Sequence, residues 1–316
     1  FLSFSVFRQQ LPKEGMDISQ IALVSSISTE HSSSILDVEP DYYGQRIATA
    51  SSDGSVRVFA TGDGSPDLVC QLTHHKGPVY RVAFSHPSHD GGLLATAGED
   101  NTVCILKETS PGTFSVLHSV TYGAVTCIAW LKVGPVARLA VACASGHVHV
   151  LSAVQDSPSG LAFEETCQWV ADVRGCLSVD WEQSPLSPDF PRLVTSGLAR
   201  QISVWKLLPE PTLVASMGPQ TAAKQGVPFH SSPVHSVRWS PSLTASSSVI
   251  ASASDDLLLV WRAGRDGLTW TAEKMRSVDE TKGGIHRVAW SITGTMLAVT
   301  RAIGEAELIR IEFDGQ

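Results

Sequence analysis

Three histidines each precede an aspartate on a predicted turn: His31 before Asp53, His75 before Asp100, and His230 before Asp255, the last followed by Trp261. An imidazole facing a carboxylate is the pairing that general acid–base catalysis uses. Two other histidine pairs invite a metal reading. His86 and His89 share the loop His86-Pro87-Ser88-His89-Asp90-Gly91-Gly92, and His147 and His149 stand two apart on a predicted strand, hence on one face. Neither pair shows the third ligand that a zinc site needs. The chain has no Gly-x-Ser-x-Gly elbow, no phosphate loop and no His-Glu-x-x-His. Its six cysteines (Cys70, Cys104, Cys127, Cys143, Cys167, Cys176) include no Cys-x-x-Cys pair. No catalytic residue, cofactor or metal is assigned, and the chain is not read as an enzyme.

The elements that would position these histidines form a repeat. Asp41 to Phe59 reads as two short strands around the turn Asp53-Gly54, which leads the closing Phe59 by six residues. The same interval joins Asp100 to Leu106, Ser145 to Leu151, Ala199 to Trp205, Asp255 to Trp261 and Ile303 to Ile309, so the closing residues are 45 to 56 apart. A second marker runs in phase: an apolar residue, another three later, and an aromatic two after that. It appears as Val79/Val82/Phe84, Val125/Ile128/Trp130, Cys176/Val179/Trp181, Val234/Val237/Trp239 and Ile285/Val288/Trp290, and in degraded form as Ile35/Val38/Pro40. This period with short strands and Asp or Gly at the turns describes an all-β, six-bladed propeller of the WD-repeat type over residues 21–316. In such a blade a His, a turn Asp, a strand Ser or Thr and a closing Trp can share a buried hydrogen-bond network. His31, Asp53, His75, Asp100, His230, Asp255 and Trp261 are therefore read as structural, since a buried polar group without a partner costs ~1–3 kcal/mol. Repeats three, four and six lack the Asp, and their turns are expected to rest on packing.

The chain is 43% apolar, enough for a sizeable core, and its net charge of −8 argues against a nucleic-acid surface. No apolar run reaches the 18 or so residues of a membrane span. Unpaired cysteines in strand patterns point to a reducing compartment. Residues 1–20 are read as non-propeller, with Met16 as the natural start. Ile21 to Ser28 reads as a strand ahead of the first blade. The last repeat reaches the turn Asp314-Gly315 with no outer strand after it. Either Ile21–Ser28 closes the ring in cis, or the sequence is cut short of that strand, or the edge is left for a partner strand.

Asp41-Tyr42-Tyr43-Gly44, with Arg46-Ile47-Ala48-Thr49 and Ser51-Ser52-Asp53, resembles the opening blade of the Sec-thirteen family, the WD-repeat subunits of the COPII outer coat and the nuclear-pore Y-complex. Gly77-Pro78-Val79-Tyr80-Arg81-Val82-Ala83, His86-Pro87, Ser240-Pro241 and Val288 to Gly294 are similar to its later segments. The likeness covers roughly residues 21–316. Blade three without its turn Asp, Gly197-Leu198-Ala199-Arg200, and Arg301 to Ile309 depart from the pattern, as a diverged member would. The resemblance implies an open propeller completed by a blade from an α-solenoid partner. That partner is a Sec-thirty-one-like coat subunit or a nucleoporin of the Nup-one-forty-five-C/Nup-ninety-six type, which places the chain at ER exit sites, COPII vesicles or the nuclear envelope. The expected groove walls are Ile21, Leu23, Val24 and Ile27 of the first strand with Ile285, Val288, Leu308 and Ile309 of blade six. Burying ~500 Å² there would contribute ~12 kcal/mol before association costs.

Two alternatives belong to other classes. A peptide-reading adaptor, such as a substrate receptor or histone-tail reader, often carries Trp-Asp-x-Arg after the closing strand; here Trp205 is followed by Lys206-Leu207 and Trp261 by Arg262-Ala263. The Seh-one nucleoporin paralogue shares the architecture, but Asp-Tyr-Tyr-Gly favours Sec-thirteen.

Overall fold

The computed structural model describes residues 4–6, 25–62, 66–156, 160–183, 191–207, 209–219, 228–241, 248–264, 266–277, 283–301 and 306–311. Two strands, β1 (Phe4–Val6) and β2 (Ser25–Ile27), pair antiparallel with each other. The others form antiparallel sheets wound from inside out. Blade one is β3 (Ile35–Pro40), β4 (Arg46–Ser51), β5 (Val56–Ala60) and β6 (Asp67–Leu72). Blade two is β7 (Val79–Phe84), β8 (Leu93–Gly98), β9 (Thr102–Ser110) and β10 (Thr113–Thr121), and blade three β11 (Val125–Trp130), β12 (Arg138–Cys143), β13 (His147–Asp156) and β14 (Gly160–Val170). Blade four is β15 (Cys176–Trp181), β16 (Arg192–Gly197), β17 (Ile202–Lys206) and β18 (Thr212–Met217). Blade five is β19 (Val234–Trp239), β20 (Val249–Ser254), β21 (Leu257–Ala263) and β22 (Trp270–Ser277). Blade six has three strands among the described residues: β23 (Ile285–Trp290), β24 (Met296–Arg301) and β25 (Ala306–Arg310).

The phase of the second marker has a geometric cause. Residues three apart on a regular strand face opposite sides. Each inner strand, however, shifts register after its first paired residue, as between Val79 and Arg81 or Ile285 and Arg287. The bulge restores a common face, so both apolar residues enter the seam between blades. The aromatic residues two further on tie neighbouring blades together. Trp130 Nε1 donates to the Ala83 carbonyl (3.1 Å), Trp181 Nε1 to Ala129 (2.9 Å) and Trp290 Nε1 to Arg238 (3.1 Å).

Apolar cores fill five successive seams, from blades one and two to blades five and six. The sixth cluster is small: Ile27, Ile47, Phe59 and Val38, where β2 covers the face of blade one turned away from blade two. In the other seams consecutive inner strands pack closely, whereas β23 and β3 do not. Across that last seam the Arg287 guanidinium grips the Asp37 carboxylate, with Nη2–Oδ2 at 3.2 Å.

This ion pair extends a set of links between inner strands. Asp37 Oδ2 accepts the Val82 amide (3.1 Å), Ser178 Oγ the Val237 amide (3.1 Å) and Ser236 Oγ the Val288 amide (3.2 Å). One inner-strand position thus links each of these blades to the next, and Arg287 at the same position reaches back to blade one.

Candidate functional site

The histidine–aspartate pairs sit inside blades, where hydrogen bonds use both ring nitrogens. In blade one His31 Nδ1 lies 2.9 Å from Asp53 Oδ2 and Nε2 2.8 Å from Thr49 Oγ1, while Ser55 Oγ donates to Asp53 Oδ1 (2.7 Å). In blade two His75 Nδ1 contacts both Asp100 oxygens (3.0 and 3.1 Å) and Nε2 lies 2.8 Å from Thr96 Oγ1. Gly98 makes the room: a Cβ there would stand 2.7 Å from His75 Nδ1. Burial alone would raise the Asp53 and Asp100 carboxyls. Donation to Asp53 from Ser55, His31 and Ser32, and to Asp100 from Thr102, Lys76 and His75, outweighs it and holds both well below the usual carboxylate range.

Blade five corrects one assignment. The turn acid in its network is Asp256, not Asp255. Trp261 Nε1 donates to Ser252 Oγ (2.8 Å), Ser252 meets His230 Nε2 (2.7 Å), His230 Nδ1 meets Ser254 Oγ (2.7 Å), and Ser254 donates to Asp256 Oδ1 (2.6 Å). A serine thus stands between imidazole and acid. The acid keeps its place four residues after Ser252, as Asp53 does after Thr49 and Asp100 after Thr96, but the turn is one residue shorter, so Trp261 follows it by five residues rather than six. Asp255 instead lies on the surface, 58% exposed, with His235 Nε2 3.2 Å away. Burial pushes the His230 imidazole down to about 4.

Two further residues of this kind escaped sequence reading. In blade four Asp172 occupies the loop slot that His31, His75 and His230 fill elsewhere, four residues ahead of the inner strand. Its Oδ2 accepts the Ala199 amide (3.0 Å), so the turn expected to rest on packing is tied by a carboxylate from the opposite side. In blade two, where Leu106 replaces the closing Trp, His74 Nε2 lies 2.8 Å from Thr96 Oγ1. Spacing from the inner strand could have found Asp172; nothing in the sequence distinguished His74 from a loop residue.

The residues expected as groove walls separate. Ile21, Leu23 and Val24 lie outside the described residues. Ile27 is buried against Ile47 and Phe59. Ile285 and Val288 are not groove walls, because the inner-strand bulge turns both into the core shared with blade five, where they are 2% and 1% exposed. Ile309 is half-buried on that same core. Leu308 alternates to the opposite face, in a row with Ala298 and Ala289 across the three strands. That small-and-apolar row, the edge of β25 and the Arg287–Asp37 pair border the seam between blades six and one, where no apolar cluster spans both blades among the described residues.

A family model described as WD domain, G-beta repeat, matches residues 23–59 and 66–106. The chain is 28% identical over 308 residues to "Protein SEC13 homolog" of Drosophila melanogaster, covering 94% of this chain and 83% of that one. It is 28% identical over 307 residues to "Protein transport protein sec13" of Emericella nidulans (90% and 94%), and 29% identical over 316 residues to "Protein transport protein SEC13" of Cryptococcus neoformans (89% and 92%). A diverged member of the Sec-thirteen family fits these matches. The crystal structure of Saccharomyces cerevisiae Sqt1 superposes with a TM-score of 0.68 at 17% identity, over 89% of this chain and 73% of that one, which shows a shared fold. The family model matches the two blades that keep a direct His–Asp pair, while blade four substitutes Asp172 and blade five places Ser254 between His230 and Asp256.

Proposed function

We propose that this chain is a non-enzymatic scaffold subunit for protein transport, an open propeller whose blade-six seam receives a blade from an α-solenoid partner. The observation that carries this reading is the seam itself. The other five seams are filled by apolar cores, whereas blades six and one are bridged by Arg287–Asp37 beside the β25 edge, unpaired among the described residues, and the Ala289/Ala298/Leu308 row. A β-edge next to an apolar face is a template for strand addition. The relatives' names supply the process, protein transport. Within the family, a Sec-thirty-one-like coat subunit at ER exit sites and a nucleoporin of the Nup-one-forty-five-C/Nup-ninety-six type at the nuclear pore are the partners proposed. The histidine–aspartate pairs are spent on blade architecture, which supports a role without chemistry.

Co-expression with each partner's blade-bearing segment tests the reading. A stoichiometric complex by size exclusion, melting well above the chain alone, is expected. A chain that stays monomeric and equally stable with either segment would favour a propeller acting as a peptide-reading adaptor.

A further inference from the structure

Blade two gathers three soft donors around one hydroxyl. His74 and His75, consecutive in the loop before β7, place their Nε2 atoms 2.8 Å from Thr96 Oγ1 on β8. Cys104 on β9 is the direct cross-strand partner of Thr96. One ring nitrogen of each histidine and the Cys104 Sγ lie within 4.8 Å of one another, and Cys104 is 5% exposed. We propose that His74, His75 and Cys104 bind a single divalent ion of the zinc class, with the Thr96 hydroxyl or a water as fourth ligand.

The chemistry of the donors supports the assignment. Two imidazoles and a thiolate suit zinc, whose bonds run about 2.0–2.1 Å to nitrogen and 2.3 Å to sulfur. Asp100 sits behind His75, accepting from Nδ1 at 3.0 and 3.1 Å. This fixes the tautomer that presents the Nε2 lone pair inward, and a carboxylate behind the imidazole is the support that metal-bound histidines use. The charges also close: a dication, the Cys104 thiolate and the Asp100 carboxylate sum to zero, so the buried site carries no net charge. On binding, the Cys104 S–H proton leaves to solvent and two N–M bonds and one S–M bond form, replacing the Thr96–histidine hydrogen bonds.

The other network blades lack the set. Opposite Thr49 in blade one stands Arg57, and Glu30 precedes His31; opposite Ser252 in blade five stands Leu259, and Phe229 precedes His230. The site would tie the loop before β7 to strands β8 and β9 at a point where the closing Trp is missing.

The full chain, stripped with chelator, is titrated with Co(II) and then Zn(II). Expected are a thiolate-to-cobalt charge-transfer band with tetrahedral d–d bands, one ion per chain by native mass spectrometry, and displacement of cobalt by zinc. C104S abolishes the charge-transfer band, and D100N weakens binding about 10–100-fold. Because C104S alters a buried residue, H74Q provides a second test at a half-buried ring: circular dichroism unchanged and affinity at least tenfold lower. Absence of the band and of a stoichiometric ion overturns the proposal, as does one ion bound equally by wild type, C104S and H74Q. A variant changing both His147 and His149 to Gln leaves binding unchanged; loss of the ion there would place the site on blade three and overturn the proposal equally.

Discussion

Replacing Arg287 by Met should loosen the ring at the seam between blades six and one. Asp37 is 2% exposed at its side chain and takes the Arg287 guanidinium together with the Val82 amide (3.1 Å) and the Val38 amide (2.8 Å). Removing the guanidinium leaves a buried carboxylate with two neutral donors. Breaking a fully buried ion pair costs about 3–5 kcal/mol, but Arg287 keeps 31% of its side-chain exposure, so solvent screens part of the loss. The expected cost is about 2–3 kcal/mol, or roughly 4–12 °C in Tm at about 2–4 °C per kcal/mol. The double-mutant cycle with Asp37→Asn is the decisive assay, by urea titration. Once Asp37→Asn is in place, adding Arg287→Met should cost under about 1 kcal/mol, because no buried charge is then abandoned. The pH dependence follows from the same geometry. Burial raises the Asp37 carboxyl, yet Arg287, Arg81 and the amide bonds outweigh it and leave it lowered. A lowered folded value means that the stabilisation is complete above the unfolded value near 4 and is lost as pH falls below it. Strictly additive single mutants, or an unchanged midpoint in Arg287→Met, would refute the clasp.

Other expectations follow from the rewired networks and the seam. Asp256→Ala should cost about 2–3 kcal/mol by thermal melting, because its carboxylate takes the Ser231 amide (3.0 Å) and the Ser231 and Ser254 hydroxyls (both 2.6 Å). Asp255→Ala should stay within about 0.5 kcal/mol; equal effects would contradict the assignment. Burial depresses His230 to about 4 against 6.5 when unfolded, so the unfolded chain binds the extra proton between these values. Stability should therefore fall as pH drops from 6.5 toward 4, and His230→Asn should flatten that slope; an identical slope would place the titration elsewhere. Ile27→Ala should cost about 2–4 kcal/mol of stability and leave partner affinity intact, since Ile27 packs on Ile47 and Phe59. Leu308→Asp should do the reverse, keeping stability within about 1 kcal/mol and removing the complex in pull-down. Loss of binding in Ile27→Ala would return β2 to the groove wall.

The repeat and its strand alternation were legible in the sequence because each blade restates one pattern in a fixed period. The partners of individual side chains were less so. His31–Asp53 and His75–Asp100 follow from spacing alone, but the blade-five turn is one residue shorter, so counting back six from Trp261 lands on Asp255 whereas counting on four from Ser252 lands on Asp256. The placement of Ile285 and Val288 depended on a bulge that leaves no mark in composition. A regular β23 would put them on opposite faces, one toward the seam with blade one, whereas the register shift after Ile285 turns both toward blade five. Asp172 escaped for a different reason: it puts a carboxylate where the other blades have an imidazole, so a search by residue type passes over it. Arg287–Asp37 joins residues 250 apart in sequence, at opposite ends of the repeat array.

Hydrogen–deuterium exchange at the β25 amides, Ala306 to Arg310, is the most direct test of a donated blade. With the chain alone, the edge amides should exchange within the fastest class of strand amides. Adding the partner's blade segment should slow them at least tenfold while β19 and β20 of blade five stay unchanged. Full protection of β25 in the chain alone, unaltered by the segment, would show the edge already covered and contradict the open-seam account.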